Sequence, residues 1–212
     1  KGIGTGFSTD VMCYNPYEII DYIKARLETG VFPIDTEFIP YYEGYKGTIT
    51  KIANSKYLIK GKYDIVGADK IRITELPIGL WTDDFKEYLE KMTDTTDKNG
   101  KKITPLVKDY DDMSKDTTID ITITLTKDKL SALCAKNLDH GCTELEKSFK
   151  LFSQNSTTNM HLFGADDKLK KYESPNEIIH DYFGTRYQMY DTRKEYLIKQ
   201  RIQKKKLYKL RF

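Results

Sequence analysis

The chain has 212 residues, of which 39% are hydrophobic and 32% are charged, and its formal net charge is +3. This apolar fraction is enough for a folded core and excludes an intrinsically disordered chain, while the near balance of charge predicts no polyanionic partner by itself. No apolar run approaches the roughly 20 residues of a membrane helix, and the spacing of Cys13, Cys134 and Cys142 fits neither a disulfide framework nor a zinc site. We expect a reducing intracellular compartment and no membrane partner.

The first 40 residues predict a glycine-rich turn and then a helix. Residues 1–15 carry glycine at alternate positions near their start, which is typical of turns. Asn15 is a good N-cap and Pro16 suits the first helical position, so a helix is predicted from about 16 to 28, ended by Gly30. The missing initiator methionine suggests that the chain begins inside a longer protein.

The middle of the chain predicts short strands and helices. An antiparallel meander is predicted from alternating runs at Lys46–Ile52, Lys56–Ile65 and Lys70–Thr74. Further predicted elements are a helix at Trp81–Met92, a polar loop at 93–104, a strand at Thr117–Leu125, a short helix capped by Thr126 and running to about Lys136, and short strands at Phe149–Phe152 and Asn159–Phe163.

A long helix is predicted from Ser174 onward. Ser174 precedes a proline, with Glu177 at the capping-box position. Apolar residues then recur every three to four positions, at Ile179, Phe183, Tyr187, Tyr190 and Leu197. The pattern is longer than a compact domain needs and predicts the root of a coiled coil. Between Lys199 and Arg211 the charged residues are all basic.

The usual enzyme signatures are missing. His140, His161 and His180 fall in separate predicted elements without metal-ligand spacing, and ordinary packed or surface histidines explain them better. The carboxylate pairs Asp111-Asp112 and Asp166-Asp167 are predicted on loops and are more often solvated turns than Mg²⁺ ligands. The glycines at the start lack the strand, spacing and helix of a nucleotide-binding loop.

Lysines are the more informative residues. Lysines recur along the predicted meander, with tyrosines between them, at Lys46, Lys51, Lys56, Lys60, Lys62 and Lys70. Several positive charges along one sheet edge suit a phosphate backbone, but lysines also protect solvated strand edges from aggregation. The residue pattern alone leaves both interpretations open.

Five segments, in chain order, resemble motifs of the eukaryotic-type (type IIA) DNA topoisomerases. They are Gly2–Ser8 (GIGTGFS), Tyr14-Asn15-Pro16 with Glu18-Ile19, Tyr45–Ile49 (YKGTI), Ile73–Pro77 (ITELP) followed by Trp81-Thr82, and Leu169–Tyr172 with Arg193–Leu197. The order and spacing are family-like over nearly the whole chain. Two departures suggest a divergent member, for example from a large DNA virus or a protist: Ile78-Gly79-Leu80 lacks the family's arginine, and Val11-Met12-Cys13 replaces Ile-Pro-Asn.

The resemblance implies an α+β fold: a small antiparallel sheet flanked by helices, followed by a long amphipathic coiled-coil helix. It implies the end of a winged-helix region at 1–15, a tower domain at 16–172 and the base of a coiled-coil arm at 173–212. In the family, the isoleucine of the first motif wedges between base pairs of the gate DNA. The DNA-binding residues implied here are Ile3, Gly4, Thr5, Lys46, Lys51 and Lys60.

The resemblance further implies a fragment of an ATP-dependent enzyme that cleaves and passes duplex DNA as a homodimer. Its partners would be double-stranded DNA and the rest of the same topoisomerase, in the nucleus, or in the host-cell cytoplasm for a viral member. Mg²⁺ and ATP would serve the full-length enzyme and not bind this chain. In the family the nucleophilic tyrosine follows an arginine. Among the 16 tyrosines here only Tyr187 does so, and Arg186-Tyr187 lies within the predicted long helix, so none is assigned as the nucleophile. A stand-alone DNA-binding module without chemistry is the alternative, and the sequence upstream of Lys1 would separate the two.

Overall fold

The computed structural model describes residues 1–95, 102 and 104–209. It has the α+β architecture that the sequence predicts, with small antiparallel sheets, short helices and a long helix toward the end of the chain. No helix within these ranges is long and apolar enough to cross a membrane.

In chain order the elements are β1 (Gly2–Gly4), β2 (Phe7–Thr9), α1 (Pro16–Thr29), β3 (Thr48–Ala53), β4 (Lys56–Lys60), β5 (Lys62–Ile65), β6 (Lys70–Glu75), α2 (Thr82–Thr93), β7 (Val107–Asp112), β8 (Ile121–Leu125), α3 (Lys129–Ala135), a 3₁₀ turn (Asp139–Gly141), α4 (Glu144–Ser148), β9 (Phe152–Ser156), β10 (Met160–Phe163), β11 (Leu169–Tyr172) and α5 (Pro175–Lys209). Contacts divide the chain into two compact units: Lys1–Pro40 with Thr157–Phe212, and Tyr41–Ser156. These units are defined by contacts between residues, whereas the segments 1–15, 16–172 and 173–212 are assigned from the family resemblance. The contacts do not test those segments, which stay a prediction.

In the first unit, helix α1 begins and ends as its sequence predicts. The Asn15 side chain accepts a hydrogen bond from the Tyr17 N–H at 3.0 Å, and Pro16 occupies the first turn. Gly30 ends the helix in the left-handed conformation, with φ of 81°, and its N–H donates to the Arg26 carbonyl. Only glycine adopts this φ without strain, so the helix stops here.

An aromatic cluster joins α1 to the start of α5. Tyr22 is 4% exposed, and its hydroxyl lies 2.8 Å from His180 Nε2. Phe32 stacks on the His180 ring at 4.1 Å between centroids. The Asn176 amide donates to the Tyr22 hydroxyl at 3.3 Å and to the Thr36 carbonyl at 3.0 Å. This combination of stacking and hydrogen bonds fixes the base of the long helix against α1.

The second unit contains two antiparallel sheets, with strand orders β3-β4-β9 and β5-β6-β8-β7. In β8 the predicted alternation is confirmed: Ile121, Ile123 and Leu125 are at most 1% exposed, and the threonines between them face away from the core. Phe85 and Leu89 of α2 pack into the same apolar cluster and are fully buried. Burying each such side chain contributes about 1.5–3 kcal/mol, so this cluster dominates the stability of the unit.

The predicted meander is wrong at its second run, Lys56–Ile65. The run breaks at Gly61 into β4 and β5, which belong to different sheets. Gly61 donates its N–H to the Leu151 carbonyl at 2.8 Å, and a side chain there would collide with the Glu75 carbonyl. The chain therefore changes sheets at a residue where only glycine fits, a packing requirement that alternation cannot reveal.

Three other elements begin at residues different from the predicted ones. Thr126 does not cap α3, because the helix begins at Lys129 and its N-cap position is Asp128; the Thr126 hydroxyl instead donates to the Pro105 carbonyl at 2.6 Å. The strand predicted at Phe149–Phe152 begins instead at Phe152, since Phe149 caps the end of α4. Residues before Ile121 form a turn closed by Lys115 and Thr118 rather than a strand. The polar loop predicted at 93–104 lies largely outside the described residues.

Candidate nucleic-acid interface

The Gly-rich segment at the start of the chain is a β-hairpin that presents one apolar side chain to solvent. Strands β1 and β2 pair in the register Gly2 with Thr9, Ile3 with Ser8 and Gly4 with Phe7. The Ile3 side chain is 97% exposed, among the most exposed large hydrophobic residues in the described ranges. An exposed isoleucine on a short strand adds nothing to a core, which agrees with the predicted lack of an apolar partner.

The glycines beside Ile3 are packing positions on the opposite face of the hairpin. A side chain at Gly4 would collide with the Phe7 ring, and one at Gly2 would press against the Thr9 methyl group. Gly6 closes the turn with φ of 83°. Thr5 is exposed at the tip of the turn. The motif thus holds Ile3 outward by allowing its neighbours to pack inward.

The hairpin is fixed to strand β10. The Asp10 N–H donates to the Asn159 carbonyl at 2.7 Å, and the His161 N–H donates to Thr9 Oγ1 at 3.2 Å. The Phe7 and Phe163 rings meet edge to face with centroids 5.8 Å apart. These contacts give the exposed Ile3 a rigid support rather than a flexible tail.

In the second unit, the YKGTI and ITELP segments are joined to each other. The Tyr45 hydroxyl donates to the Lys60 carbonyl at 2.6 Å, and burial, followed by the charge of Glu75, raises the pKa of Tyr45. Glu75 accepts a hydrogen bond from the Lys46 N–H at 3.3 Å. A side chain at Gly47 would collide with the Lys60 carbonyl. Both motifs are therefore structural at their centres, and the Lys46 side chain projects from them at the surface.

The predicted phosphate-binding lysines occupy different environments. Lys46 and Lys51 are exposed, the first just before β3 and the second on β3, an outer strand of its sheet. The other lysines of the series are divided between the two sheets, with Lys56 and Lys60 in one and Lys62 and Lys70 in the other.

Lys60 is held inside an ion pair. Its Nζ lies 3.1 Å from Glu146 Oε2 and donates to the Gly141 carbonyl at 2.6 Å. The Lys60 and Glu146 side chains are 20% and 10% exposed. Glu146 also completes a capping box at the start of α4 by accepting from the Thr143 N–H at 2.9 Å. A lysine committed to a buried carboxylate has little left for a phosphate, and this geometry argues against a DNA contact for Lys60.

The residues considered for metal or acid–base chemistry do not converge. Among the described residues, no group of three or more His, Cys, Asp or Glu side chains is placed to hold a metal ion. Asp111 and Asp112 lie on strand β7, not on a loop as predicted, and Lys86 pairs with Asp112. The hydrogen bond from Lys86, together with the hydrogen bonds from the Ser114 side chain and backbone, lowers the pKa of Asp112 to about 2. Asp166 and Asp167 lie in the turn between β10 and β11, as expected for solvated carboxylates.

The long helix α5 exposes both apolar and basic side chains. Tyr187, Tyr190 and Leu197 are 57%, 56% and 45% exposed. A shallow groove of this face is lined by Tyr190, Arg193, Lys194, Leu197, Ile198 and Arg201. A helix of this length with exposed apolar residues every three to four positions is typical of one half of a coiled coil.

Sequence reasoning missed the polar support beneath the hairpin. Asn159 and His161 contact Ser8 and Thr9, from which they are separated by about 150 positions in the chain. Both residues fall in the strand predicted at Asn159–Phe163, but no local pattern indicates what that strand contacts. Long-range hydrogen bonds between the hairpin and the segment at Asn159–His161 bring them together.

Comparison with known proteins gives one consistent result. Residues 1–211 match the DNA gyrase/topoisomerase IV family model, which covers the A subunits of these enzymes. DNA topoisomerase 2 of Pisum sativum is 38% identical over 201 residues, which are 93% of this chain and 13% of that protein. DNA topoisomerase 2-alpha of Rattus norvegicus is 37% identical over 199 residues, 93% of this chain and 12% of that protein.

A solved structure shares the fold. The DNA-binding, cleavage and re-ligation domain of Plasmodium falciparum topoisomerase II superposes with a TM-score of 0.80 at 36% identity, covering 93% of this chain and 25% of that one. The chain thus spans about an eighth of the length of the two curated relatives named above.

Proposed function

Because the chain belongs to the type II DNA topoisomerase family, we propose that it is the part of such an enzyme that binds and bends the duplex to be cleaved. The support is the family match together with one feature of each compact unit. The first unit has an exposed apolar side chain on its hairpin, and the second unit has exposed lysines.

The observation that carries the proposal is the exposure of Ile3. A β-branched side chain that is 97% exposed gains its apolar environment only from a partner. Inserted between two base pairs, such a wedge costs a few kcal/mol of unstacking and kinks the duplex by about 20–90°. Gly4 and Thr5 complete the hairpin tip beside it and would lie against the duplex. Bent DNA then offers more of its phosphates to the protein.

Phosphate contacts would supply most of the affinity. Lys46 and Lys51 are exposed and would contact phosphates, and the Lys60 ammonium pairs with Glu146. Contacts of lysine with phosphates carry no base information, so binding is expected to tolerate any sequence and to weaken with salt.

The remaining parts of the proposal come from the family. We infer that the chain acts within a nuclear, homodimeric, ATP-dependent enzyme, and that α5 pairs with a further helix of that enzyme in a coiled-coil arm. Mg²⁺ and ATP would bind elsewhere in the enzyme, as the likeness to the family implies.

The test is a bending assay on the full-length protein. A duplex labelled with a donor and an acceptor fluorophore at its ends reports bending as energy transfer. Ile3→Ala is expected to reduce the transfer at saturating protein while changing affinity less, since phosphate contacts dominate binding. A melting curve run in parallel should coincide with wild type to within about 0.5 kcal/mol, as for other exposed residues. Wild-type bending by the variant would refute the wedge.

A further inference from the structure

Ser8 lies directly across the hairpin from Ile3. The two residues are register partners on β1 and β2, so their side chains share one face. Opposite residues of an antiparallel pair have their β-carbons about 4.5–5.5 Å apart. Ser8 is exposed, like Ile3. A surface that receives Ile3 therefore also meets the Ser8 hydroxyl.

Asn159 orients that hydroxyl. Its amide Nδ2 donates to Ser8 Oγ at 3.1 Å, and its Oδ1 is 2.9 Å from His161 Nδ1. The Asn159 backbone is fixed as well, because its carbonyl accepts from the Asp10 N–H at 2.7 Å. Because Oδ1 of Asn159 contacts the imidazole of His161, the Nδ2 of the same amide is the atom that faces Ser8.

This arrangement leaves Ser8 with an unused donor. A serine hydroxyl has one O–H donor and two acceptor lone pairs. Because Asn159 donates to Ser8, it uses a lone pair and turns the O–H away from itself. The O–H donor thus stays available to a partner that meets the face carrying Ile3.

We propose that Ser8 is a positioning residue whose hydroxyl donates a hydrogen bond to the DNA beside the Ile3 wedge, with Asn159 setting its direction. The inference rests on the proposed function. The acceptor is an oxygen or nitrogen of the duplex within one base step of the wedge: either a minor-groove base atom, purine N3 or pyrimidine O2, or a phosphate oxygen. Such acceptors are found along the whole duplex, so the contact fixes the register of the wedge without demanding a sequence.

The experiment measures binding and bending by the full-length protein with Ser8→Ala and Ser8→Thr. Loss of one hydrogen bond should weaken binding of the bent duplex by about three- to tenfold in Ser8→Ala, with an unchanged melting curve. Ser8→Thr keeps a hydroxyl and should stay within about twofold of wild type. Equal binding by wild type and Ser8→Ala, or failure of Ser8→Thr to rescue, would overturn the proposal.

Modified duplexes separate the two kinds of acceptor. A 3-deazaadenine at the wedge step removes purine N3, and a methylphosphonate removes the charge and one oxygen of a phosphate. The substitution that removes the true acceptor should weaken wild type but not weaken Ser8→Ala further. If both substitutions weaken wild type and Ser8→Ala equally, Ser8 contacts neither group and the proposal is wrong.

A double-mutant cycle with Ser8 tests the role of Asn159. Asn159→Asp replaces the amide donor with an acceptor that would capture the Ser8 hydrogen, and it also adds a negative charge near DNA. Comparing it in the Ser8 and Ser8→Ala backgrounds removes the charge effect. A smaller loss in the Ser8→Ala background supports the orientation, and equal losses contradict it. Ile3→Ala keeps Ser8, so normal bending by Ile3→Ala together with loss in Ser8→Ala would refute the wedge alone.

Discussion

The ion pair of Lys60 leads to a prediction that separates structural from DNA-binding lysines. Lys60 joins strand β4 to the start of α4 through Glu146 and the Gly141 carbonyl. In Lys60→Ala these acceptors lose their donor while Glu146 stays mostly buried. The variant should therefore lose stability in the Tyr41–Ser156 unit and keep the salt dependence of DNA binding.

The size of the loss follows from the burial of the pair. Removing one partner of a fully buried pair costs about 3–5 kcal/mol, and breaking a surface pair costs about 0–1 kcal/mol. The Lys60 and Glu146 side chains are 20% and 10% exposed, and Glu146 retains the Thr143 N–H. Since this environment lies between the two limits, we expect a loss of about 2–3 kcal/mol in the free energy of unfolding of the unit.

Hydrogen exchange in increasing urea, followed by mass spectrometry of peptides from 41–156, measures this loss within the full-length protein. Lys46→Ala is the matched control. In this variant, the slope of log affinity against log salt should fall by about 0.9, the value for one phosphate contact, with exchange unchanged. Lys51→Ala should lower the salt slope by a similar amount. If Lys60→Ala lowers the salt slope and leaves hydrogen exchange at the wild-type level, Lys60 contacts DNA and the reasoning from the ion pair fails.

Three further outcomes are expected. Tyr22→Phe should lower the stability of the other unit by about 1 kcal/mol, because His180 and Asn176 lose the shared hydroxyl, as measured by the same exchange method on peptides from 16–40. Gly4→Ala should reduce bending even though Ile3 is intact, since the new methyl group displaces Phe7 beneath the hairpin; wild-type bending would show that the hairpin tolerates it. The stabilisation that Asp112 gains from Lys86 should be present above about pH 4 and disappear as pH falls toward about 2, because the folded pKa is depressed; urea titrations of wild type and Asp112→Asn across this window should converge at the acid end.

The sequence predicts those elements whose cause is local. Helix α1 has its signals within its own residues, with Asn15 and Pro16 at one end and Gly30 at the other. The alternation in β8 likewise identifies its buried face directly. Such signals work because capping and burial on one face act within a few residues along the chain.

The errors arise where a distant residue decides the structure. Gly61 interrupts a good alternating run because Leu151 and Glu75 approach it closely. Thr126 has the chemistry of a cap, but it lies before the N-cap position Asp128 and its hydroxyl is directed to the distant Pro105 carbonyl. No pattern within either segment reveals these partners.

The candidate site shows the same division. The exposure of Ile3 follows from its sequence, since glycines on both sides leave it no apolar neighbour. The environment of Lys60 does not, because an alternating strand looks the same whether its lysine faces solvent or a distant glutamate. Composition distinguishes charged from apolar positions, but only the fold shows which charges are already paired.

Base unstacking is the most direct consequence of the proposed wedge. A duplex carrying 2-aminopurine at successive steps of the cleavage region reports loss of stacking as increased fluorescence. Bound to the full-length wild-type protein, one step in each half of the duplex should brighten, and Ile3→Ala should leave that step dark at saturating protein. An equal increase with Ile3→Ala would contradict the account, because some other group would then be separating the bases.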